Sequence, residues 1–493
     1  MSNMAMKPWV VQKFGGTSVG KFPRQIAEDI INIYDKDHSV VAVCSARSTN
    51  IKAEGTTTRL LEATDQALKL GGNFKKIIET IRADHLNAAK THIPNDELVE
   101  ALERDINREC DEAIKILEAS RILDEISNRT MDLVLSVGEK LSCMFMAAVI
   151  TSTGRKAVYV DFSRLRTGPG DINQEFYDVL KDKMADEIHK IGDAIPVVTG
   201  FFGLVPGGLI STVGRGYTDL CAALIAVGLR AEELQIWKEV DGIFSADPRK
   251  VPTARLLDQI TPEEAAELTY YGSEVIHPFT MEQVIQARIP IRIKNVMRPK
   301  GQGTRIFPEN DSIPGDETPL HPPIPVSPSF VNLQQAAKGP TAVTSKSNIL
   351  VLNIHSNKTR KSHGFLAHVF GVLDKWKLVV DLISTSEVHV SMAIHAAVPD
   401  VPLADALVEL RKFGSVDVTR KLCIVSLVGT QMKQLVGIAG KMFTTLAEAG
   451  VNLEMISQGA SEINISCVVD ERDSLKAVNV LHHRLLSQPL SLH

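Results

Sequence analysis

The last third of this chain contains an internal repeat that aligns without a gap. Residues 349–395 match residues 422–469 at a constant offset of 73 positions, so that Asp381 corresponds to Glu454. Each copy shows the pattern strand, helix, strand, strand, helix, with a last strand predicted after it. Small α+β units of this kind can pair their sheets or helices with each other and with a second chain. The sequence therefore predicts two βαββαβ domains and a homo-oligomer, with domain boundaries at 346–420 and 421–493.

The first 305 residues alternate short apolar runs with helical patterns. This alternation predicts an α/β fold, with a mostly parallel sheet sandwiched by helices. The polar stretch 95–127 has apolar residues near helical spacing, and we interpret it as a pair of amphipathic helices packed on the core. A first domain over 1–306 is expected. The candidate strands are residues 9–13, 40–45, 157–161, 195–199, 234–238 and 291–294.

Between the two regions, eight prolines fall within the 34 residues from 307 to 340. Prolines at this density exclude helix interiors and central strands. Residues 307–345 are therefore predicted to be a linker or an extended surface connection.

The composition excludes several classes of protein. A net charge of −5 and a pI near 6.3 argue against nucleic acid or an anionic membrane as the main partner. Six scattered cysteines without a C-x-x-C pair predict reduced, buried thiols. The first residues do not match a targeting peptide, and no apolar stretch approaches the roughly 18 residues of a spanning helix. A cytoplasmic protein with no membrane or nucleic-acid partner is expected.

The sequence KFGGTSVG places Lys13, Gly15, Gly16 and Ser18 where a predicted strand ends, before a helix expected to begin near Phe22. The lysine precedes the glycines, so the spacing fits neither G-x-x-x-x-G-K-[ST] nor G-x-G-x-x-G. Glycines let a phosphate approach backbone N–H groups, and a fixed ammonium can neutralise a transferring phosphoryl group. A tight structural turn with a solvent-exposed lysine explains the same residues, and both interpretations stay open at this point.

In VGRGYTDLCAA, Arg215 lies between two glycines, and Thr218 and Asp219 open an apolar helix. Thr218 could cap that helix, and an acid in a first turn is favoured by the helix dipole. Alternatively, Arg215 binds a carboxylate with both of its terminal nitrogens, and Asp219 positions the donor and acceptor groups.

Three further motifs allow a functional and a structural explanation. Glu139, in LSVGEKLSC, follows an apolar run at a predicted junction to a helix, where it either binds an ammonium group or acts as a first-turn acid. The stretch VDGIFSADPR has turn chemistry and is expected to form a loop past a strand end, where ligands bind in parallel sheets. His277 precedes a proline and receives no catalytic role. No Ser-His-Asp set and no metal cluster is predicted.

Taken together, KFGGTSVG, SVGEKLS, VGRGYTDLCAA, VDGIFSADPR and YGSEVIHP resemble, in this order, the motifs of aspartate kinases in the amino-acid kinase superfamily. SHGFLAHVFGVL, VDLISTSEVHVS and GVNLEMISQGASEINIS are similar to the paired ACT regulatory domains of the same enzymes. Tyr217-Thr218 and the extra residues around 48–57 look like the fungal branch. The resemblance covers essentially the whole chain. It implies phosphorylation of the L-aspartate side chain by Mg-ATP, giving 4-phospho-L-aspartate and ADP and opening the route to homoserine, threonine and methionine.

The resemblance also implies roles for individual residues. Lys13 and Asp219 would act in catalysis, Arg215 would hold the α-carboxylate of aspartate, and Glu139 would hold its amino group. The implied ATP contacts are Lys13, Gly15, Gly16, Ser18, Lys238, Glu239, Phe244 and Arg249. The implied aspartate contacts are Ser45, Thr58, Glu139, Arg215 and Asp219, with Thr56 and Thr57 as alternatives to Thr58.

The chain departs from the family pattern on the nucleotide side. Many relatives have Thr-Asp where this chain has Lys238-Glu239, and a lysine where Glu274 stands. We expect Lys238 to supply the positive charge that Glu274 cannot.

In the first repeat, the resemblance implies a binding site for an amino-acid effector at a dimer interface. Asp381 would meet the effector ammonium, backbone N–H groups its carboxylate, and threonine is the expected effector. The alternative is that these are ordinary loop and strand residues of an α+β unit. The site residues implied are Gly364, Phe365, Leu366, Val380, Asp381 and Ser386.

Two rival functions remain at this stage. One is another member of the superfamily, such as an acetylglutamate, glutamate or uridylate kinase. The other is a catalytically inactive amino-acid sensor built on the same scaffold. Intact Lys13, Arg215 and Asp219 favour an active kinase over the sensor.

Overall fold

The computed structural model describes most of the chain. The residues it describes are 7–48, 54–163, 165, 173–203, 205, 207–213, 216–270, 276, 278–307, 339–356, 364–386, 389–396, 400–433, 435–459 and 463–487.

The chain divides into two compact units, and the first comprises residues 1–243, 258–262 and 276–322. Its sheet has the strand order β3-β4-β2-β1-β5-β7-β8-β6, and every neighbouring pair is parallel except β7 and β8. The strands are β1 Trp9–Phe14, β2 Ser39–Cys44, β3 Ala157–Val160, β4 Ile195–Thr199, β5 Glu233–Lys238, β6 Gln259–Ile260, β7 Ile291–Asn295 and β8 Thr304–Ile306.

The predicted parallel sheet is confirmed. All six candidate strands are present, and each end agrees with its prediction to within one residue. The central strands β1, β2 and β4 are buried along nearly their whole length. Strands covered on both faces by helices read as continuous apolar runs, which is why this part of the sequence was easy to interpret.

Helices cover this sheet. Their bounds are Gly16–Lys21, Pro23–Gln25, the π-helical Ile26–Ile31, Asn32–Tyr34, Thr56–Ala67, Phe74–His92, Asp96–Leu123, Asn128–Ser152, Gln174–His189, Leu209–Thr212, Tyr217–Gly228 and Pro278–Gln286.

Two helix predictions were wrong. The pair of helices expected over 95–127 is one helix of 28 residues, Asp96–Leu123. The helix expected near Phe22 is present, since Pro23–Gln25 begins there with Phe22 as its N-cap, and the short helix Gly16–Lys21 precedes it. Glu139 does not lie at a helix start but inside Asn128–Ser152, because the apolar run before it is helical and buried from Val134 onward. An apolar run buried on all sides has no period by which a strand and a helix can be distinguished.

The helix Asn128–Ser152 bears on the membrane expectation. By length and composition it could cross a membrane, although no such helix was expected from the sequence. In the structure, 89% of its apolar window is buried inside the protein, as in the core helix of a globular domain. Its Cys143 is buried and unpaired, as are the other five cysteines, so the prediction of free, buried thiols is confirmed.

The second unit comprises residues 244–257, 263–275 and 323–493. Its antiparallel sheet has the strand order β10-β11-β9-β12-β14-β13. The strands are β9 Ala342–Ser356, β10 Val380–Thr385, β11 His389–His395, β12 Gly414–Val428, β13 Met455–Gln458 and β14 Asn464–Asp470. The helical segments are Pro262–Tyr270, Phe365–Lys375, Asp400–Leu410, Thr430–Met432, Ile438–Glu448, Glu471–Asp473, Ser474–Leu481 and His482–Leu486. The first residue of the helix Pro262–Tyr270 is assigned to the first unit, and the rest of that helix to the second.

Two strands of 15 residues, β9 and β12, join the repeat copies into one sheet. Residues 414–419 of β12 pair with the second half of β9, and residues 424–428 pair with its first half. The first half of β9 therefore occupies the place of a closing strand beside the second copy. β9 begins at Ala342, within the stretch predicted as a linker, whereas residues 308–338 of that stretch lie outside the described residues.

Candidate functional site

The carboxyl ends of the parallel strands form the edge of the first sheet at which the predicted site residues gather. The chain leaves β1 to form β2 on one side and later forms β5 on the other side. In open α/β sheets, ligands bind outside the carboxyl ends of the strands at the point where the strand order reverses. Lys13 lies one residue before the end of β1, and Lys238 ends β5. The binding crevice is thus expected just outside the carboxyl ends of the neighbouring strands β1 and β5.

Lys13 forms an ion pair with Asp219 at this edge. The Lys13 Nζ to Asp219 Oδ1 distance is 2.8 Å, and the two side chains are 11% and 14% exposed. Asp219 lies in the first turn of the helix Tyr217–Gly228, whose residues are almost all buried. The attraction between two charges increases where water is excluded. The pair is therefore a fixed positive group beside a fixed acid at the crevice.

A second contact connects the two sides of the crevice. Ser18 Oγ donates a hydrogen bond to Glu239 Oε1 at 2.8 Å. Ser18 belongs to the short helix after β1, and Glu239 follows β5. Lys238 is partly exposed beside Glu239, and its carbonyl accepts a hydrogen bond from Val296 N. Three of the predicted nucleotide contacts therefore lie around the point where the strand order reverses.

The two glycines after β1 have different surroundings. A Cβ on Gly16 would lie 2.0 Å from the carbonyl oxygen of Ala46, so only glycine permits this close contact with the loop after β2. A Cβ on Gly15 would meet no atom within 4 Å, so the backbone there faces open space that a ligand can approach. Packing thus explains Gly16, while Gly15 keeps the predicted phosphate-facing position.

Glu139 reaches the same edge from the middle of its helix. Its Oε2 accepts a hydrogen bond from Phe201 N at 2.6 Å, and its Oε1 accepts one from Thr218 Oγ1 at 2.8 Å. The residue is 1% exposed. Burial raises the pKa of the Glu139 carboxyl to about 7, although the contacts with Thr218, Phe201 and Lys13 oppose that rise.

The loop after β2 carries the remaining predicted aspartate contacts. Ser45 is partly exposed; its N–H donates to the Phe14 carbonyl, and its own carbonyl accepts from Ser142 Oγ at 2.8 Å. Thr58 is exposed and Thr57 partly exposed in the first turn of the helix Thr56–Ala67. Thr56 is buried, and its hydroxyl donates to the Arg47 carbonyl at 2.8 Å. That hydroxyl holds the loop against the helix.

Four residues discussed in the sequence do not belong to the described part of the first unit. Arg215 and Glu274 lie outside the described residues. Phe244 and Arg249 belong to the second unit. Phe244 forms an isolated bridge with Leu256, and the Arg249 guanidinium donates two hydrogen bonds of 3.0 Å to the Asp247 carboxylate.

The possibility of a bound metal was tested on the same residues. In the part of the chain that the structure describes, no group of three His, Cys, Asp or Glu side chains could hold a metal ion. Mg²⁺ in kinase sites binds through one or two carboxylates, substrate phosphates and water, and does not need a dedicated cage. The carboxylates of Asp219 and Glu239 at the crevice fit that mode of binding.

Comparison with known proteins agrees with the predicted fold and family. The model of the amino acid kinase family matches residues 8–295, and an ACT domain model matches residues 425–485. The aspartokinase of Saccharomyces cerevisiae is 58% identical over 500 residues, which cover 97% of this chain and 93% of that protein. The aspartokinase of Schizosaccharomyces pombe is 56% identical over 501 residues, which cover 100% of this chain and 95% of that protein.

This chain belongs to the aspartokinase family. It is accordingly an ATP-dependent phosphotransferase of the amino acid kinase type, with a carboxyl group as acceptor. The fungal resemblance inferred from the motifs is confirmed, and the rival kinases of the same superfamily are not favoured.

Solved aspartokinases have the same fold over the whole length. Escherichia coli aspartokinase III, in complex with aspartate and ADP, superposes with a TM-score of 0.73 at 27% identity and covers 97% of this chain and 100% of that one. The same enzyme in complex with lysine and aspartate gives a TM-score of 0.74 at 27% identity, over 97% and 99% of the two chains.

In the second unit of this aspartokinase, the predicted effector residues lie at the start of a helix, on strand β10 and in the turn after β10. Gly364 has a left-handed backbone, with φ 88°, immediately before the helix Phe365–Lys375. Phe365 is buried, whereas Leu366 is 41% exposed. Ser386 is exposed at the turn between β10 and β11, and its hydroxyl accepts a hydrogen bond from His389 N.

Asp381, the predicted acceptor for an effector ammonium, already has an ammonium partner. Lys346 Nζ lies 2.7 Å from Asp381 Oδ1, and the Asp381 side chain is 3% exposed. The other oxygen, Oδ2, is buried without a hydrogen-bond partner. Lys346 Nζ also lies 4.9 Å from the ring centroid of Tyr270, whose hydroxyl donates to the carbonyl of Val380. The carboxylate thus retains one free oxygen.

The motifs did not reveal several residues of these sites. Thr218 was considered only as a helix cap, and its contact with Glu139 joins residues 79 positions apart. Phe201 contributes only its backbone N–H, which no side-chain pattern reports. Lys346 stands in a polar stretch, TSKSN, with no signal of its own. A glycine directly after a predicted strand, Gly200, was the one available hint of a close approach at β4.

Proposed function

We propose that this aspartokinase transfers the γ-phosphoryl group of Mg-ATP to the side-chain carboxylate of L-aspartate through the residues at the β1–β5 crevice. The observation that supports this assignment most directly is the Lys13–Asp219 ion pair beside the Glu139 carboxylate. A cation and two acids near one strand edge suit a substrate pair that carries phosphates, a carboxylate and an ammonium group.

The transfer forms one bond and breaks one bond. An oxygen of the aspartate side-chain carboxylate attacks the γ-phosphorus, and the bond from that phosphorus to the β,γ-bridging oxygen breaks as ADP leaves. The carboxylate is already ionised near neutral pH, so no general base is required. Catalysis then depends on positioning and on charge compensation at the transferring group.

Each side chain has one task in this scheme. Lys13 offsets the negative charge of the transferring phosphoryl group, and Asp219 holds that ammonium in place. Gly15 and Ser18 line the phosphate side, and Glu239 lies beside Ser18. The carboxylates of Asp219 and Glu239 would hold a bound Mg²⁺, which would neutralise part of the phosphate charge.

The substrate side consists of acceptors and donors for a small zwitterion. Glu139 receives the ammonium of aspartate, and Ser45 and Thr58 contact its carboxylates from the loop after β2. We assign the α-carboxylate to Arg215 on the VGRGYTD motif alone. The remaining predicted nucleotide contacts are Lys238, Phe244 and Arg249, and these three likewise rest on their motifs.

We further propose that the second unit binds an amino-acid effector, with threonine the first candidate. E. coli aspartokinase III has been solved with lysine as well as aspartate, so an amino acid other than the substrate binds a relative. The free oxygen of Asp381 offers an acceptor for an effector ammonium, and the first turn of the helix Phe365–Lys375 offers backbone N–H donors for its carboxylate.

A homo-oligomer through the repeat unit, a cytoplasmic location and a place at the start of threonine and methionine synthesis complete the proposal. The edge strands β10 and β13 expose Ile383 and Ile456, which correspond in the two copies and are 37% and 46% exposed. These two strands contact each other, so the exposed apolar side chains lie close together and suit contact with another chain. The free, buried cysteines suit a reducing compartment.

The experiment is a coupled assay of ADP release with Mg-ATP and a panel of acceptors. We expect turnover with L-aspartate, and the acyl phosphate can be trapped as its hydroxamate. L-Glutamate and N-acetyl-L-glutamate serve as controls for the neighbouring kinases. ADP release only with another acceptor would contradict the substrate assignment, and binding of amino acids without any turnover would favour the inactive sensor.

A further inference from the structure

Thr218 occupies a position typical of a capping residue, but its hydroxyl does not cap the helix. The residue before the helix Tyr217–Gly228 is Gly216, in the left-handed region with φ 106°, and no side chain caps that end. Thr218 is 6% exposed, and its hydroxyl donates instead to Glu139 Oε1 at 2.8 Å. A buried hydroxyl on one helix is thus committed to a carboxylate on another.

The start of the helix Tyr217–Gly228 lies tightly against the backbone that follows β4. A Cβ on Gly200, the residue after β4, would lie 2.4 Å from Thr218 Cγ2, so the side chain of Thr218 is seated directly against that backbone. The next residue, Phe201, donates its N–H to the other oxygen of Glu139 at 2.6 Å. The carboxylate is therefore held at both oxygens by groups that have little freedom to move.

We propose that Thr218 is a positioning residue of the kinase reaction, which holds the Glu139 carboxylate in the orientation that receives the ammonium of aspartate. This inference rests on the role of Glu139 in the proposed function. An ionised carboxylate has about four acceptor positions. Phe201 N, Thr218 Oγ1 and the Tyr217 side chain use up to three of them, which leaves room for a substrate N–H.

The ionisation of Glu139 provides a readout for this role. The pKa of its carboxyl, raised by burial, is about 7, and the Thr218 hydrogen bond is the foremost contact that opposes the rise. The titratable groups facing it are Lys13, Tyr217, Cys143 and Cys221. Burial raises the pKa of Tyr217 and of both thiols well above their usual values, so these three stay neutral between pH 6 and 8.

The sign of the pH effect follows. Only the ionised carboxylate attracts an ammonium group, so aspartate binding weakens as the pH falls through 7. Between pH 8 and pH 6 the ionised fraction of a group with this pKa falls roughly tenfold. Loss of the Thr218 hydroxyl raises the pKa further, because a hydrogen bond to the charged form is removed. The acidic limb of kcat/KM for aspartate then moves to higher pH.

The test compares Thr218→Val, which keeps the shape and removes the hydroxyl, with Thr218→Ser, which keeps the hydroxyl. For Thr218→Val we expect KM for aspartate to rise roughly tenfold at pH 7, the loss of one hydrogen bond to a charged group, with kcat within about threefold. The acidic limb should move upward by about one pH unit. Thr218→Ser should restore both quantities to near wild type.

The other outcomes are decisive in the opposite direction. A Thr218→Val enzyme with unchanged KM and an unchanged limb would overturn the inference, as would a Ser variant that fails to restore them. Glu139→Gln separates the two claims, because it should raise KM for aspartate and abolish the limb. If Glu139→Gln leaves KM for aspartate unchanged, the role of Glu139 in the proposed function is wrong. If Glu139→Gln raises KM but Thr218→Val changes neither KM nor the acidic limb, only the role of Thr218 is wrong.

Discussion

Each unit of this aspartokinase contains a lysine–aspartate ion pair. The two pairs differ in how strongly the lysine and the aspartate side chains are buried. In the first unit, Lys13 and Asp219 are 2.8 Å apart and similarly buried, at 11% and 14% exposed. In the second unit, Lys346 and Asp381 are 2.7 Å apart, but the lysine is 22% exposed and the acid only 3%. In the first pair both side chains are largely buried, whereas the second pair consists of a buried acid and a partly exposed lysine.

This difference in burial suits the different roles that the two pairs have in the proposed function, phosphoryl transfer and effector binding. A lysine that must stay aimed at a transferring phosphoryl group needs a fixed partner, and Asp219 at the start of a buried helix is one. A lysine that only fills an effector site must be able to give way when the effector arrives. In the proposed function, Lys346, the more exposed partner, is displaced by the effector, whose ammonium then reaches the buried Asp381 Oδ2, which has no hydrogen-bond partner.

The largest expected effect comes from breaking the first pair. Lys13→Met and Asp219→Asn should each lower kcat by roughly 10³-fold, as expected for the loss of a main electrostatic group in phosphoryl transfer. The measurement is coupled ADP release at saturating aspartate and Mg-ATP. Because leaving one partner of a buried pair alone costs about 3–5 kcal/mol, thermal unfolding is recorded in parallel to show that the variants are folded at the assay temperature.

The control for this prediction is Lys36→Ala, an exposed lysine in the turn before β2. Its turnover should match the wild-type value. Binding of threonine to the second unit should survive in the Lys13 and Asp219 variants, since the two pairs belong to separate cores. Activity that persists in a folded Lys13→Met enzyme would refute the assignment of the catalytic pair.

The contrast between the units also explains what could be predicted from the sequence. The parallel strands could be predicted because both faces of the sheet are covered, and the repeat because the two copies keep one register. The helix Asn128–Ser152 was misread where its apolar residues face the core on all sides, since amphipathic periodicity is then lost. The two long strands β9 and β12 each run through both copies of the repeat, so that each half of β12 pairs with a different half of β9. No local sequence pattern encodes this pairing.

The candidate sites were predictable to the extent that one residue type carries the chemistry. Lys13 and Asp219 each have a structural explanation from the sequence alone, a turn lysine and a first-turn acid, so their catalytic roles came from the family resemblance of the motifs that contain them. Contacts across the tertiary structure were not predictable. The partners of Glu139 and of Asp381 are 79 and 35 positions away in the chain, and each contact requires a close approach that only the folded packing produces.

The next largest effect concerns the second pair. Asp381→Ala should abolish threonine inhibition, a change of roughly 5- to 150-fold in the effector response, which is the usual size of an allosteric coupling. Turnover without threonine should stay within about twofold of wild type. The initial rate is titrated with threonine and, separately, with lysine, so that the effector is identified in the same experiment. Asp374→Ala, an exposed acid on the helix Phe365–Lys375, is the matched control. Inhibition that is unchanged in Asp381→Ala would remove this residue from the effector site.

The smallest effect provides the sharpest test of the comparison, because it predicts a gain. Lys346→Met removes the resident ammonium from Asp381 and leaves its carboxylate free for the effector. Since a partly exposed ion pair is worth about 0.2–1 kcal/mol, threonine should bind roughly 1.5- to 5-fold more tightly to this variant in titration calorimetry. Lys377→Met, an exposed lysine that pairs only with a neighbouring acid three positions away, should leave the affinity unchanged. Weaker binding of threonine to Lys346→Met would mean that Lys346 contacts the effector itself. The two lysine–aspartate pairs would then have the same role, in which the aspartate positions a lysine that binds a ligand.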